Sequence, residues 1–319
     1  MQAYIARRVL LFIPTLIFVT IVVFVIMRVV PGDPAQLMAM AGGESSDVSE
    51  ERVAELRTQL GTDKPIHVQY VKWVWNLLHL DFGRSYWFNS KIYDDLGERL
   101  PVTMELTVLA VLWANLVAIP LGVLSAIKQD TPADYASRII ALLGIALPNF
   151  WVGVMIVFFL VLFFNWIPPL GYEDLWENPV KNLQQLMFPA LALGFSNMAF
   201  VARVTRSSVL EVFREDYIRT ARSKGLAERA VISRHALKNA LLPVITVTGY
   251  EFGRLLAGTV IIEVIFVVPG MGVFLVDAIS RRDFPVVQAV VTIVAVLVLV
   301  LNLVMDLIYA WLNPRISYA

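Results

Sequence analysis

The stretch VLLFIPTLIFVTIVVFVIM, residues Val9 to Met27, holds nineteen consecutive residues without an ionisable side chain. A helix needs about 20 mainly apolar residues to cross the hydrocarbon core of a bilayer. The rest of the chain is also apolar, because 58% of its 319 residues are hydrophobic and its mean hydropathy is +0.69. Soluble domains contain about 45–50% apolar residues. The sequence therefore predicts an integral membrane protein.

Six apolar stretches are long enough, or nearly long enough, to cross a membrane as helices. They run from Val9 to Met27, Leu106 to Ile127, Ile139 to Phe164, Leu186 to Ala202, Ala240 to Val268 and Pro285 to Met305. The fourth is short, and the fifth is interrupted by Glu251, Arg254 and Glu263. We predict an all-α polytopic membrane protein with about six transmembrane helices.

The positions of Lys and Arg predict the orientation, because cytoplasmic loops carry an excess of both. With the N-terminus inside, the cytoplasmic segments hold Arg7, Arg8, Arg315 and the basic residues of loops 128–138 and 203–238. The short outside loops hold only Lys181, Arg281 and Arg282. Both termini are therefore predicted to be cytoplasmic, in a multi-pass protein.

This orientation divides the chain into three segments. Residues 1–30 form the N-terminus and first transmembrane helix, and residues 31–100 form a helical extracytoplasmic segment. Residues 101–319 form a core of five transmembrane helices with a cytoplasmic loop at 203–243. In the extracytoplasmic segment, the pattern from Ser49 to Gly61 predicts an amphipathic helix. The pattern from Tyr70 to Leu78 predicts a second short helix on the membrane surface.

The composition argues against an enzyme and against a metal site. Cysteine is absent, and the three histidines form no metal-binding pattern. The spacing of Gly253 and Gly258 imitates a phosphate-binding loop, but the lysine that such a loop requires is missing. The 26 basic and 26 acidic residues give no reason to expect nucleic acid. We predict no catalytic residue, metal or cofactor in this chain.

Glu251 and Arg254 are ionisable residues inside the fifth apolar stretch, where charge is costly. They lie three residues apart, so they can pair on one helix face. The pair is either a structural ion pair or part of a polar translocation path. Gly249 and Gly253 nearby allow close helix packing, either within the chain or with another subunit.

The loop 203–243 is too polar for lipid and too periodic for a disordered segment. Val209, Val212, Phe213, Tyr217 and Ala221 recur at helical spacing and predict one apolar face. Gly225 is expected to end or bend this helix, and Glu228 to Leu237 forms a second amphipathic piece. Such an element suits docking of a cytosolic partner, or a basic face resting on anionic lipid headgroups.

The loop resembles the cytoplasmic signature of permease subunits of ATP-binding-cassette importers. The run Asp216-Tyr217-Ile218-Arg219-Thr220-Ala221-Arg222-Ser223-Lys224-Gly225-Leu226 is similar to that of the dipeptide/oligopeptide/nickel family, in its first-permease branch. Arg219 replaces the leading Glu of the general signature, and the gap from Gly225 to Pro243 is longer. Pro31-Gly32-Asp33-Pro34, Leu147-Pro148-Asn149 and the tail with Pro314-Arg315 resemble the same family. The resemblance covers essentially the whole chain.

The resemblance implies a type I importer permease in a bacterial inner membrane, paired with a homologous second permease. Two cytosolic ATPases would bind ATP and Mg, and an extracytoplasmic binding protein would deliver the peptide or related solute. The residues implied to couple this chain to an ATPase are Glu215, Asp216, Tyr217, Arg219, Thr220, Ala221, Arg222, Lys224 and Gly225.

Two other functions remain at this point. An ion-gradient-driven secondary transporter would use an intramembrane carboxylate such as Glu251, although the two halves of the chain show no matching repeat. An intramembrane enzyme would need a catalytic set that the polar residues of the spans do not supply.

Overall fold

The computed structural model describes residues 2–29, 32–41, 50–169 and 171–312. Within them the chain is helical, apart from connecting loops and one isolated bridge between Arg84 and Lys91. The helices are α1 (Gln2–Val29), α2 (Pro34–Ala41), α3 (Glu50–Leu60), α4 (Ile66–Leu78), α5 (Ile92–Ile127), α6 (Pro132–Ala146), α7 (Asn149–Phe164), α8 (Pro179–Val212), α9 (Asp216–Ser223), α10 (Glu228–Ala230), α11 (Leu237–Phe266), α12 (Met271–Arg281) and α13 (Phe284–Leu312). A π-helical turn, Val231–Ala236, connects α10 to α11.

Four of these helices are long and apolar enough to cross a membrane: α1, α5, α8 and α13. The number rises to six if two bent pairs, α6 with α7 and the helix ending at Phe266 with α12, each count as one span. The prediction of about six spans agrees with this range. Sequence-based predictions at Pro31, Ser49, Pro314 and Arg315 concern positions outside the described residues.

The third predicted span, Ile139 to Phe164, is wrong as a single helix. The chain breaks at Leu147 and Pro148, and α6 and α7 meet at 104°. Pro148 disfavours helical geometry at the preceding residue, and Leu147 is accordingly extended, with φ −86° and ψ 129°. At 15 and 16 residues, α6 and α7 are each only about 22–24 Å long, less than the hydrocarbon thickness of about 30 Å.

The helices group into two compact units. The first unit contains residues Gln2–Val102 and Pro269–Val300, and the second contains Thr103–Val268 together with the chain from Leu301 onward. The predicted segments 1–30, 31–100 and 101–319 concern the sides of the membrane and stay predictions.

In the first unit, α4 packs against α1 through aromatic side chains. The Phe24 ring lies 5.4 Å from Tyr70 and 5.8 Å from Trp73, and the hydroxyls of Thr20 and Tyr70 are 2.9 Å apart. The helices expected near Ser49–Gly61 and Tyr70–Leu78 are present as α3 and α4. The position of α4 on a membrane surface stays a prediction.

The loop after α4 is attached to the α12–α13 junction within the same unit. Asp283 is buried, and one of its carboxylate oxygens accepts hydrogen bonds from the Ser85 hydroxyl at 2.5 Å and from the Tyr86 backbone N–H at 3.1 Å. The Trp87 indole N–H donates to the Arg281 carbonyl at 2.7 Å. These bonds join parts of the chain almost 200 residues apart.

In the second unit, α8 packs against α5 through reciprocal glycine contacts. A Cβ on Gly122 of α5 would lie 2.5 Å from the Ala202 carbonyl oxygen, and one on Gly194 of α8 would lie 2.6 Å from the Ala110 carbonyl oxygen. Close approach through small residues is the usual way in which helices associate in lipid, where no hydrophobic force favours helix over lipid.

We expect Gly194→Ala to lower the free energy of unfolding by about 1–3 kcal/mol, because the new methyl group would overlap backbone rather than a side chain that can move. Thermal melting of the purified protein in mild detergent measures this effect. Gly97→Ala in α5 is the matched control, since a Cβ there has nothing within 4 Å. A melting temperature for Gly194→Ala equal to that of Gly97→Ala would contradict the close contact.

The loop ends of α5, α6 and α8 share a buried ion pair. The Arg206 guanidinium donates Nε to Asp134 Oδ1 and Nη2 to Asp134 Oδ2, each at 2.8 Å. The Ser125 hydroxyl donates to Asp134 Oδ1 at 2.5 Å, and the Asp130 backbone N–H donates to Oδ2 at 3.1 Å. Asp134 is fully buried, so this cluster holds three helices together at one end of the second unit.

Candidate functional site

The segment after α8 folds into a short helix bounded by two turns. The Glu215 N–H donates to the Val212 carbonyl at 3.1 Å, which turns the chain sharply before α9 begins at Asp216. At the other end, Gly225 has φ +75°, and the Leu226 N–H donates to the Ala221 carbonyl at 3.4 Å. This is the glycine-terminated helix end that the sequence predicts.

The inner face of α9 is anchored within the chain. Ile218 is fully buried and Ala221 nearly so, and they pack with Val231 and Ala236 of the π-helical turn. Partly buried Val212 and Phe213 complete this cluster. The apolar side of α9 is therefore already covered by the segments that precede and follow it.

An ion pair closes the α9–α10 turn. Arg222 donates Nε to Glu228 Oε2 at 3.1 Å and Nη2 to Oε1 at 2.6 Å, and its guanidinium carbon lies 5.5 Å from the centre of the Phe213 ring. The hydrogen bonds to Glu228 raise the pKa of Arg222. The bidentate geometry fixes the angle between α9 and α10 more tightly than a single contact would.

The outer face of α9 is polar and exposed. We use this name for Asp216, Tyr217, Arg219, Thr220 and Lys224, all of which are exposed. The side chains of Asp216 and Arg219 are 95% and 72% exposed, and their mutual contact is 3.4 Å, too open to neutralise either group toward a partner. The Tyr217 hydroxyl accepts a hydrogen bond from Asn239 Nδ2 at 2.8 Å, which connects the outer face to the start of α11.

The predicted apolar face of this loop is partly wrong. The prediction placed Tyr217 on one face with Val212, Phe213 and Ala221, but Ile218 is the buried residue and Tyr217 is exposed. The reason is that α8 ends at Val212, and the turn that follows changes the helical register before α9 begins. The spacing of Ile218 and Ala221, three residues apart, was the signal for the inner face.

The nine predicted coupling residues lie together on α9 and its two flanking turns. Glu215 precedes the helix, Ala221 faces inward, and Arg222 is engaged by Glu228. The outer face carries the remaining side chains. A Cβ on Gly225 would have nothing within 4 Å, so its positive φ, rather than space, explains the glycine. The role of this set in docking stays a prediction.

Glu251 and Arg254 form the predicted ion pair on α11. Arg254 donates Nε to Glu251 Oε2 at 2.7 Å, and its Nη2 also contacts that oxygen. The Glu251 side chain is 13% exposed and the Arg254 side chain is 58% exposed, so the carboxylate is mostly buried and the guanidinium lies at the surface of the chain. On the same helix, a Cβ on Gly249 would overlap the Met305 side chain, which is intramolecular packing.

Three other carboxylates, Glu105, Glu263 and Asp306, accept hydrogen bonds from side chains distant in sequence. Glu263 is fully buried and accepts a hydrogen bond from the Thr103 hydroxyl at 2.7 Å. Asp306 is 8% exposed and accepts from the Tyr250 hydroxyl at 3.2 Å. Each joins two helices of the second unit that are distant in sequence.

The third carboxylate, Glu105, belongs to a network at the start of α8. It accepts a hydrogen bond from the Tyr172 hydroxyl and another from Asn182 Nδ2 at 3.3 Å. Burial, and then the bond to Glu105, raises the pKa of Tyr172, so the phenol stays a proton donor. The described residues contain no cluster of three or more metal-ligating side chains.

Sequence comparison matches the chain to two family profiles. Residues 118–318 match the family described as "Binding-protein-dependent transport system inner membrane component", and residues 1–107 match its N-terminal region. A provisionally named peptide transport system permease protein of Brucella suis biovar 1 is 41% identical over 318 residues, covering all of both chains. The dipeptide transport system permease protein of Escherichia coli K12 is 40% identical over 341 residues, covering 100% of this chain and 99% of the relative.

Structural comparison finds the same kind of fold. A crystal structure described as an amino acid ABC transporter with histidines superimposes with a TM-score of 0.56 at 18% sequence identity. The match covers 68% of this chain and 94% of the other.

Proposed function

The chain belongs to the family of binding-protein-dependent transport system inner membrane components, and from this premise we propose how it couples ATP hydrolysis to peptide uptake. It is a permease component of an ABC importer and has the type I importer permease fold. This membership decides against an ion-gradient-driven transporter. We propose that its solutes are peptides or closely related small molecules, because its relatives in Escherichia coli and Brucella suis are named for peptide transport.

We propose that an ATPase subunit binds the outer face of α9. The observation that carries this proposal is the contrast between the two sides of this helix. The inner face is covered by the chain itself, whereas Asp216 is almost fully exposed and Arg219 largely so, with only a weak mutual contact. Charged groups in that state favour recognition by a partner with complementary charge.

The anchoring of α9 indicates how movement passes into the membrane. The Ile218 cluster joins α9 to the π-helical turn, the Arg222–Glu228 pair joins it to α10, and Asn239 joins it to the start of α11. A displacement of α9 by ATPase closure would therefore move the ends of α8 and α11 with it. Rigid-body movement of such helices underlies alternating access.

The remaining parts of the proposal concern the assembly. This chain would pair with a homologous second permease, bind two cytosolic ATPase subunits through the two permeases, and receive solute from an extracytoplasmic binding protein. ATP and Mg would be held by the ATPase subunits, and this chain would catalyse no reaction. It would lie in a bacterial inner membrane with both termini in the cytoplasm, as the positions of its basic residues favour.

Affinity purification of the tagged chain from native membranes in mild detergent tests this proposal. We expect a second permease and two kinds or copies of ATPase subunit to co-purify, with ATPase activity in the eluate. Arg219→Glu on the outer face should reduce the recovered ATPase, whereas Arg203→Glu on α8, away from the outer face, serves as the charge-matched control. A chain that elutes alone and supports gradient-driven uptake in liposomes would overturn the proposal.

A further inference from the structure

One face of α11 is exposed at the surface of the part of the chain that the structure describes. The exposed residues at the spacing of one helix face are Tyr250, Arg254, Ala257, Ile261 and Val264. The opposite side is buried, with Leu255, Thr259 and Ile262 facing the rest of the second unit. We call the five exposed residues the open face of α11.

Arg254 is the charged residue of the open face, and it lies deep in the helix. It follows the first residue of α11 by 17 positions and precedes the last by 12, as the bounds Leu237–Phe266 give. An arginine at the middle of a membrane-spanning helix is costly when it faces lipid, and such residues usually face the bundle interior or a water-filled cavity. Its neighbours on the open face toward the Phe266 end, Ile261 and Val264, are apolar, and Glu263 between them is buried on another side of the helix.

The contacts of Arg254 leave part of its guanidinium available. Among the described residues, Glu251 Oε2 receives both Nε and Nη2, which leaves Nη1 directed away from that carboxylate. Glu251 itself is mostly buried, and its carboxylate contacts the edge of the guanidinium that carries Nε and Nη2. A planar, always-charged guanidinium with open N–H groups is suited to binding a carboxylate.

We propose that Arg254 faces the aqueous translocation pathway and binds the carboxylate of the passing solute, with Glu251 as the residue that positions it. The carboxylate as ligand rests on the proposed function, since peptides carry one at their C-terminus. The exposure of Arg254 to water does not rest on it.

The natural absence of cysteine allows a direct test of water exposure. In the complex assembled with its partner subunits, Arg254→Cys should react with a charged, membrane-impermeant methanethiosulfonate at least ten-fold faster than Leu116→Cys. Leu116 is the control because it is 75% exposed on a part of α5 that has no ionisable side chain. The complex with the unaltered chain reports any reaction with cysteines of the partner subunits. Equal rates at positions 254 and 116 would overturn the proposal, because lipid or another subunit would then cover the open face.

Uptake of radiolabelled alanyl-alanine tests the role of the charge. We expect Arg254→Gln to lower uptake about ten-fold at equal amounts of assembled complex, and Arg254→Lys to retain most of it. The double variant Glu251→Gln/Arg254→Gln separates the two interpretations of the pair. If Arg254 binds solute, the double variant stays as defective as Arg254→Gln. If the pair is only structural, removing both charges restores uptake, and the proposal is wrong.

Modification of the Arg254→Cys complex adds a rescue experiment. Aminoethyl methanethiosulfonate places a positive charge at position 254 and should raise uptake, whereas methyl methanethiosulfonate places a neutral group there and should not. Equal effects of the two reagents would count against carboxylate binding. If the unaltered complex takes up no peptide at all, the proposed function fails, while the labelling rate still decides whether Arg254 faces water.

Discussion

Asp134→Ala is expected to lower the free energy of unfolding by about 3–5 kcal/mol, because it removes one member of a buried ion pair. Asp134 is fully buried and accepts four hydrogen bonds, two of them from Arg206. The substitution leaves the largely buried Arg206 guanidinium, 22% exposed, without its anion. Thermal or denaturant unfolding of the purified protein in detergent measures the loss.

The double variant Asp134→Ala/Arg206→Met is the informative control for this prediction. Replacing both charges with apolar side chains removes the unpaired cation, so the double variant should be more stable than Asp134→Ala alone. An Asp134→Ala protein as stable as the unaltered one would show that the ion pair does not hold α5, α6 and α8 together.

Gly225→Val is expected to lower ATP-driven uptake about ten-fold or more while membrane insertion stays intact. Valine is β-branched and strongly disfavours the φ of +75° that ends α9, and holding such a residue there costs about 1–3 kcal/mol. The helix end would relax and carry the outer face of α9 away from its position. Uptake and ATPase activity, measured on the same reconstituted complex, separate loss of coupling from loss of assembly.

Gly225→Asn is the matched variant, because asparagine tolerates the left-handed conformation and the surrounding space within the chain is open. It should keep more than half of the uptake. Normal uptake in Gly225→Val would contradict the assignment of this turn to coupling. If Gly225→Asn loses as much uptake as Gly225→Val, the backbone conformation of the turn is not the cause. The new side chain would then clash with a partner subunit packed against the turn.

The sequence predicts the membrane class and most of the spans, because apolar length alone determines which helices can cross a bilayer. It places element boundaries less well where packing overrides composition. α8 continues to Val212, ten residues past the apolar stretch that ended at Ala202, because one side of this polar part, with Thr205, Ser208 and Val209, is buried in the second unit. The short helix α12 was not predicted, since its eleven residues are too few for a span.

The sequence motif locates the candidate site, but the sequence does not predict which of its residues are buried. Gly225 is a local signal, and its positive φ needs no knowledge of the rest of the chain. The buried position of Ile218 depends on where α8 stops, which periodicity across the turn could not give. The Asp134–Arg206 pair joins residues 72 positions apart, and no local pattern records such a contact.

The π-helical turn at Val231–Ala236 is a place where the chain could lose one residue without rotating the helix that follows. A π turn holds one residue more than an α-helical turn, and such turns often occur at functional sites. Losing one residue within α11 would rotate everything beyond it by about 100°, which would move Arg254 off its face. Losing one residue within the π turn would instead leave a regular α-helix with both flanks in register. A chain with one residue fewer between Gly225 and Pro243 would therefore keep the same membrane helix facing the same way.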